Sequence, residues 1–591
     1  MKKTGYLVVA GGVLTMACGG VSGGDEPDPV SNEQLAGVGP IYPGVAGGER
    51  SIVYHGWNTP DTAYIAKHWR SMDSSGLDGT GYYVEFPIDQ GEEPVHRGVY
   101  RTSVELFDGS IRWERCWFDR ALLDLRETDF ERLKRNHLQV WVTPANFDWH
   151  DDSAWQNVLH NTREPARFGA AAPHTAGMMF DAEQYASKLW YQAGRGSTED
   201  FATVARKVRE RGREWAHAVS SEWPDAELLM PWISDYAVTS LGGFDAPARA
   251  TSETGLFLAF FEGMLQGLGD GVAIWEGNEH AYMQAAPTSF SRTSSRLRNN
   301  LLGVLSPDLR TEFFAHVRQS HGIYLDAYVN PEGTQYGLSK FGRTAADQLF
   351  RNTLSALSAS DGLVWLWGED GVIFEPLTGD MSHRIADPTA AWEDRIDGLE
   401  VAFDWARSPH ANIERSLFEI AREYQNEQLL NAFPAASQGW STEGWHVWKE
   451  ANDTGTFSVE LPTPMRDTQS LRVDGMRLGG CFIHNVPMTP LRTLLVTARA
   501  RVEGDAIPVL IVRWRHPGGA FDMAGEDLRA SFGPPDKDGI RVAYVVGSAP
   551  EQVHSAAVLL SVTGGEGAAV LFDEVRAFDF TDGPARLWNS R

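Results

Sequence analysis

The stretch Ala176-Gly177-Met178-Met179-Phe180-Asp181-Ala182-Glu183-Gln184-Tyr185 passes in one step from an apolar run to a pair of acids. Gly177–Asp181 reads as a strand buried on both faces, the composition of strands in parallel sheets. Side chains alternate along a strand, so Met179, Asp181 and Glu183 share one side, and Met178 and Phe180 share the other. With Met178 and Phe180 turned to a layer of helices, both carboxyl groups face the strand's C-terminal end, where parallel α/β folds place their chemistry.

Seven further runs of this kind surround it: Ser51–His55, Gly81–Phe86 and Leu138–Thr143 before it, and Glu227–Pro231, Gly271–Trp275, Gly322–Tyr328 and Gly362–Trp367 after it. Amphipathic stretches separate them, among them Thr198–Ser220, Glu253–Gln266, Leu297–Ser320 and Thr344–Ser358. Strand and helix alternating eight times predict an α/β chain with a (β/α)₈ barrel over residues 49–433. An open doubly wound sheet would carry a Gly-rich phosphate loop after its first strand, and none is present. The turn Phe107-Asp108-Gly109-Ser110 inside His96–Arg126 predicts a β-hairpin in the loop between the second and third strands. Ala390–Ala406 and Ile413–Asn431 read as helices closing the barrel.

After Pro434 helical periodicity stops, and Gly455–Glu460, Ser470–Val473, Thr493–Val502, Ile507–Trp514, Gly539–Val546 and Ala556–Val562 read as short strands. These predict an all-β jelly-roll sandwich over residues 434–591. Gly439-Trp440, Gln469-Ser470-Leu471-Arg472-Val473 and the closing Phe572-Asp573-Glu574-Val575 resemble the galactose-binding-like jelly rolls, which include many carbohydrate-binding modules. That resemblance implies a glycan partner.

Lys and Arg total 52 against 79 Asp and Glu, a formal net charge of -27 over 591 residues. That balance argues against a nucleic-acid partner, which needs concentrated positive charge. Lys2 and Lys3 precede an apolar run, Tyr6–Ala17, too short to span a bilayer. Leu14-Thr15-Met16-Ala17-Cys18 resembles the lipobox of bacterial lipoproteins, with Thr15 where Leu is usual. The resemblance implies a signal peptide over residues 1–18, lipidation of Cys18 and a lipid anchor in the cell envelope, at the outer membrane. Residues 19–48, rich in Gly, Pro, Ser and acids, read as a flexible tether. Cys116 and Cys481 fall in different domains, and read either as a staple between them or as two isolated thiols. No Cys/His spacing marks a metal site, and no motif calls for a cofactor.

The barrel's strand ends carry the candidate site. Glu183 reads as general acid, Asp181 as its partner or the nucleophile, and Glu276 as the second carboxylate, the set that glycosidic cleavage requires. His55, Trp57, Glu85, Asn146, Trp275, Asn278, Tyr282, Asp326, Tyr328, Trp367 and Glu369 stand at other strand ends as candidate substrate contacts. The fourth-strand segment resembles the signature Asp-Gly-x-Asp-x-Asp-x-Glu of chitinase-type (family 18) glycoside hydrolases. Gly177, Asp181 and Glu183 match it, while Ala176 and Met179 replace its first two Asp. The resemblance implies a hydrolase of polysaccharides or other glycans with Glu183 as the acid. The replaced positions leave a non-catalytic glycan-capturing lipoprotein as the alternative.

Overall fold

In the computed structural model the apolar runs become strands β1 (Ser51–Gly56), β2 (Gly79–Tyr82), β3 (Asn136–Trp141), β4 (Thr175–Asp181), β5 (Glu227–Met230), β6 (Ala273–Glu276), β7 (Val317–Tyr324) and β8 (Leu363–Gly368). They close into a barrel in chain order, each parallel to its neighbours, with β8 returning to β1. The structure describes residues 50–579 except 57–58, 88–98, 102–105, 143–147, 185–187, 197, 239–241, 285–286, 335, 339–343, 375–390, 409–427, 430–443, 461–469, 520–526, 534 and 566. The leader with Cys18, the tether, Trp57 and Asn146 lie outside these residues. No helix among them is long and apolar enough to cross a membrane.

Helices cover the barrel with an apolar face turned inward, and several of them begin on a side-chain cap. Asp61 accepts from the Tyr64 backbone N–H, Asp151 from Ser153 and Ala154, and Asp200 from Thr203. The helices Phe201–Glu222 and Phe257–Gly267 meet backbone to backbone. A Cβ on Gly212 would lie 2.1 Å from the Phe260 carbonyl oxygen, and one on Gly263 2.0 Å from that of Arg209. Only glycine permits that approach.

Four expected elements differ. The second strand ends earlier, and Glu85–Pro87 instead pairs antiparallel with Val99–Arg101. Phe107–Ser110 is not a hairpin tip: Phe107 is fully buried against Phe180 and Trp155, and the chain continues into the helix Asp119–Arg126. The expected helix Leu297–Ser320 breaks at Pro307, leaving Pro287–Val304, Arg310–His316 and then β7, which starts earlier than its apolar run suggests. Of Ile413–Asn431 the described part, Gln428–Leu429, is a strand on the sandwich rather than a helix.

The C-terminal strands are β9 (Trp445–Lys449), β10 (Thr456–Glu460), β11 (Ser470–Asp474), β12 (Gly480–Pro487), β13 (Thr493–Glu503), β14 (Ile507–Arg515), β15 (Leu528–Ser531), β16 (Ile540–Ser548), β17 (Ser555–Thr563) and β18 (Ala569–Asp579). One sheet runs β10-β11-β18-β13-β16 and the other β9-β12-β17-β14-β15. Phe482, Leu510, Val558 and Leu560 meet Leu471, Val496, Val570 and Phe572 in the core between them. Cys481 is buried here and Cys116 is exposed near the barrel, both as free thiols, so no bridge staples the domains.

The first sheet's outer side is joined to the barrel. Leu495, Tyr544 and Phe578 belong to the barrel's own apolar cluster, and Arg351, on the helix Ala345–Ala359, donates to the Leu491 carbonyl. Phe578 is 2% exposed, so Phe578→Ala is expected to cost about 3–5 kcal/mol, the range for a buried aromatic. Urea denaturation should show that loss in a transition common to barrel helices and sandwich strands. Two separate transitions, with only the strand signal moved, would contradict a shared core.

Candidate functional site

Strand β4 sets the geometry. The Phe180 ring lies 4.5 Å, centroid to centroid, from Trp215 on the helix Phe201–Glu222, so Phe180 faces outward. On the opposite side Gln139 Nε2 donates to Met179 Sδ inside the barrel at 3.9 Å. Asp181 shares the side of Met179 and opens at the C-terminal mouth, 7% exposed. Its Oδ1 accepts the Glu183 backbone N–H at 2.8 Å, which ties the start of the loop to the strand end. Trp190 fixes the same loop, donating from Nε1 to the Ala182 carbonyl at 2.8 Å and from its backbone N–H to Gln184 Oε1 at 2.7 Å.

The mouth is a cluster of interacting acids. Burial first, and then the charge of Glu183, raise the pKa of Asp181. Glu279, on the loop after β6, is held well above the usual carboxylate range by burial and by Glu183, Asp181 and Glu369. Glu369, on the loop after β8, accepts from Trp367 Nε1 at 3.1 Å and is hydrogen-bonded to Tyr324. Asp326 is buried beneath it and accepts the backbone N–H groups of Glu369 and Asp370, each at 2.9 Å. Burial raises Asp326 to about 6 in spite of those two bonds.

Aromatic rings stand on both sides. After β5, Trp232 stacks on Tyr236 with centroids 6.0 Å apart. His280 meets Trp232 edge-on at 5.0 Å and is 3.2 Å from Asp235. After β6 and β7, Tyr282 stacks on Tyr324 at 5.1 Å, and Tyr336 meets Tyr324 edge-on at 5.7 Å. Burial and the acids Glu183 and Asp181 raise the Tyr236 hydroxyl, and burial, Glu279 and Glu369 raise that of Tyr282. Charges from three strand ends thus act on one space between two aromatic walls. Among the described residues no group of three or more His, Cys, Asp or Glu is arranged to hold a metal ion.

Of the residues singled out in the sequence, Asp181, Glu183, Tyr282 and Glu369 come together here, with Asp326 below them and Trp367 at the edge. Glu276 does not join them. Its Oε2 accepts from the Ser234 backbone N–H at 2.7 Å and the Ser234 hydroxyl at 2.6 Å, and its Oε1 from the Asn278 N–H at 3.2 Å. Burial raises it to about 7. Trp275 points into the lower barrel, where the Arg135 guanidinium lies 4.8 Å from its ring. His55 is fully buried in the lumen, stacked on His137 at 5.5 Å. Asn278 donates to His321 and Tyr328 accepts from Asn352, both on the helix side of the barrel. Glu85 lies on the short hairpin.

The sequence reading missed Trp232, Tyr236 and Tyr324, and the place of Glu279 beside Asp181 and Glu183. It also missed Trp141, which sits in register beside Asp181 on the side of His137 and Gln139. The alternation His137-Leu138-Gln139-Val140-Trp141-Val142 carried that signal, since Leu138, Val140 and Val142 are the fully buried outward residues.

No family model matches the chain, and no curated protein matches it. Solved structures similar to part of it include the enzymatically active domain of bacteriophage CBA120 tailspike protein 4, at 14% identity over 25% of this chain and 21% of that one, with a TM-score of 0.21. The chain thus spans about a fifth of that tailspike domain. Others are TmCBM61 in complex with β-1,4-galactotriose (12% identity, 23% of this chain, 89% of that one, TM-score 0.19) and a family 11 carbohydrate-binding module of the Clostridium thermocellum cellulase Lic26A-Cel5E (10%, 26%, 94%, 0.19).

The raised acids have a consequence for stability. Asp181, Glu276, Glu279 and Asp326 keep protons in the folded chain at pH values where the unfolded chain has lost them. The folded state then binds more protons, so stability falls as pH rises from about 5 to about 8. The melting temperature should decline across that interval, and Asp181→Asn should flatten the decline. A melting temperature that climbs instead would contradict a protonated cluster.

Proposed function

We propose that the chain is a glycoside hydrolase acting at the C-terminal mouth of its barrel. The observation that carries this reading is the meeting of Asp181, Glu183 and Glu279 at one mouth, where burial first, and the neighbouring carboxylate charges after it, raise the Asp181 and Glu279 carboxyl groups. Cleaving a glycosidic bond needs a carboxylic acid to protonate the leaving oxygen and a second carboxylate to attack, or to activate water. Two acids in close electrostatic contact do not both ionise readily, so the charge of Glu183 adds to burial in keeping a proton on Asp181. Glu183, the less buried of the two, gives its proton to the glycosidic oxygen, and Asp181 holds it in position. Glu279 takes the place that the sequence reading gave to Glu276 and serves as the second carboxylate. The tyrosine and tryptophan faces on either side offer apolar surfaces with polar edges, suited to sugar rings. The leader reading adds that this activity is held at the cell envelope through lipid on Cys18.

Glu183→Gln should lower hydrolysis by about 10²–10⁴-fold, the usual contribution of a general acid, with little change in melting temperature. Glu279→Gln should likewise lose activity with the fold intact. Glu276→Ala should chiefly lose stability, by about 1–3 kcal/mol, because it leaves the buried Ser234 and Asn278 donors without an acceptor. An active Glu183→Gln protein would overturn the mechanism. Binding without cleavage would leave a glycan-capturing protein, the reading that Met179 in place of an acid favours.

A further inference from the structure

The sandwich keeps apolar residues on a side where it has no core. In a two-sheet sandwich one set of side chains on each strand packs between the sheets, and the alternate set faces outward and is polar. The sheet β9-β12-β17-β14-β15 departs from that pattern. Its inward set, with Phe482, Leu510, Val558 and Leu560, fills the core. Its outward set forms a second apolar cluster, Cys481, Ala557, Leu559 and Ile511, with Ile483 and Val509 at the border. The other sheet docks on the barrel through Leu495, Tyr544 and Phe578, so this cluster belongs to the opposite side of the domain.

Residues opposite one another in an antiparallel pair point to the same side, so the strand registers lay this surface out in rows. Trp448 stands in line with Cys481 and, across β17, with Val509. The next row runs from Ile483 through Leu559 and Ile511 to Arg529. The row after it aligns Asn485 with Arg513, and the last aligns Ser555 with Arg515. Trp448 is 50% exposed and gives the apolar floor a ring at one end.

The other end is basic. Arg513 donates to both oxygens of Asp527, at 2.8 and 2.7 Å, and Arg529 donates to the same carboxylate at 3.0 Å with its side chain 62% exposed. Arg515 donates to Asn485 Oδ1 at 2.8 Å and to the Gly519 carbonyl at 3.0 Å. It borders a hollow of about 570 Å³ together with Asn485, Pro487, His516, His554 and Ser555. Three arginines thus gather around Asp527 and Asn485 in a chain whose formal net charge is -27. The bonds to Asp527, Asn485 and Gly519 fix the guanidinium planes before any ligand arrives.

We infer that this outer face is a second glycan site and that it takes a sugar chain bearing carboxylates, a polyuronate. The inference rests on the reading of the chain as glycan-active and adds a binding surface separate from the barrel mouth. Sugar rings offer apolar C–H faces to Trp448 and the floor. A carboxylate matches the planar donor fork of an arginine. From Val509 to Arg515 the face runs six residues along β14, roughly 20 Å at the rise of a strand, which is room for several sugar units. A neutral chain would use the floor but not the arginines. A nucleic acid would meet the repulsion of an acidic protein.

The test uses the full chain carrying Glu183→Gln, so that the mouth does not consume the probe. Oligomers of galacturonate, mannuronate and glucuronate, of equal length, are titrated calorimetrically near pH 7, each beside its methyl ester, which keeps the sugar chain and removes the charge. At least one acid should bind about 10-fold or more tightly than its ester, the worth of one charge-assisted contact, and added salt should shrink that preference. Arg529→Gln should weaken the acid and leave the ester unchanged, whereas Trp448→Ala should weaken both by about 10-fold. Both side chains are exposed, so the melting temperatures should hold. No acid bound better than its ester, or a preference that neither substitution alters, overturns the inference. Cleavage of a glycan with no uronate bound here overturns this site and leaves the mouth reading standing. A uronate held here with no glycan cleaved supports the site and counts against the mouth reading alone.

Discussion

The contact of Phe180 with Trp215, 4.5 Å between ring centroids, is the constraint on which the mouth depends. Side chains alternate with period two, so fixing Phe180 among the helices fixes Met179 and Asp181 on the lumen side. A slip of one residue would send both carboxyl groups into the helical layer. The helix that carries Trp215 has little freedom to shift, because Gly212 and Gly263 bring it against the helix Phe257–Gly267 at backbone distance. Packing in the outer layer therefore decides which charges meet in the inner one.

Beneath the mouth the lumen is polar, but it is closed. His137 lies 3.5 Å from Glu227, Glu227 pairs with Arg135, and Thr59 donates to Gln139 at 2.9 Å. Burial lowers the pKa of His55 and His137, keeping the stacked pair neutral. This plug supports the strand ends from below. The barrel thus carries two polar layers, one built around the pair Arg135 and Glu227 and one of acids at the mouth.

Much of this was legible in the sequence, and what was not has local physical causes. The eight apolar runs report directly on strand burial, and they hold in the barrel; the strand parity holds as far as Asp181, where β4 ends and the loop carrying Glu183 begins. The exchange of Glu276 for Glu279 turns on Asn278, whose positive φ of 46° reverses the chain just after β6. Asn tolerates that conformation better than most residues, but its presence alone does not announce it. The early start of β7 follows from Pro307, which ends the helical run before the apolar residues resume. Phe107 was misread because a Phe-Asp-Gly-Ser turn looks exposed, whereas this phenylalanine fills the space beside Phe180. The link between barrel and sandwich depends on Leu495, Tyr544 and Phe578, outward residues of strands whose other face already has a core. Alternation alone cannot tell such residues from a solvated face.

The acids of the mouth divide into two kinds, and the division explains how a cluster of like charges can be built at all. Asp181 and Asp326 are the most buried, and each accepts a backbone N–H from a loop: that of Glu183, and the pair Glu369 and Asp370; Glu276, outside the cluster, holds Asn278 in the same way. Glu183, Glu279 and Glu369 are the more exposed, and each belongs to, or directly follows, a residue anchored in that way. The inner acids are thus loop anchors, and a protonated or hydrogen-bonded carboxyl serves that role without adding a full charge to the cluster. The outer acids are left to face one another with their backbones fixed, so their repulsion cannot be relieved by moving the loops apart. The arrangement keeps protons on Asp181 and Glu279, chiefly through burial and then through the neighbouring charges. It also gives a ligand at the mouth a site organised in advance.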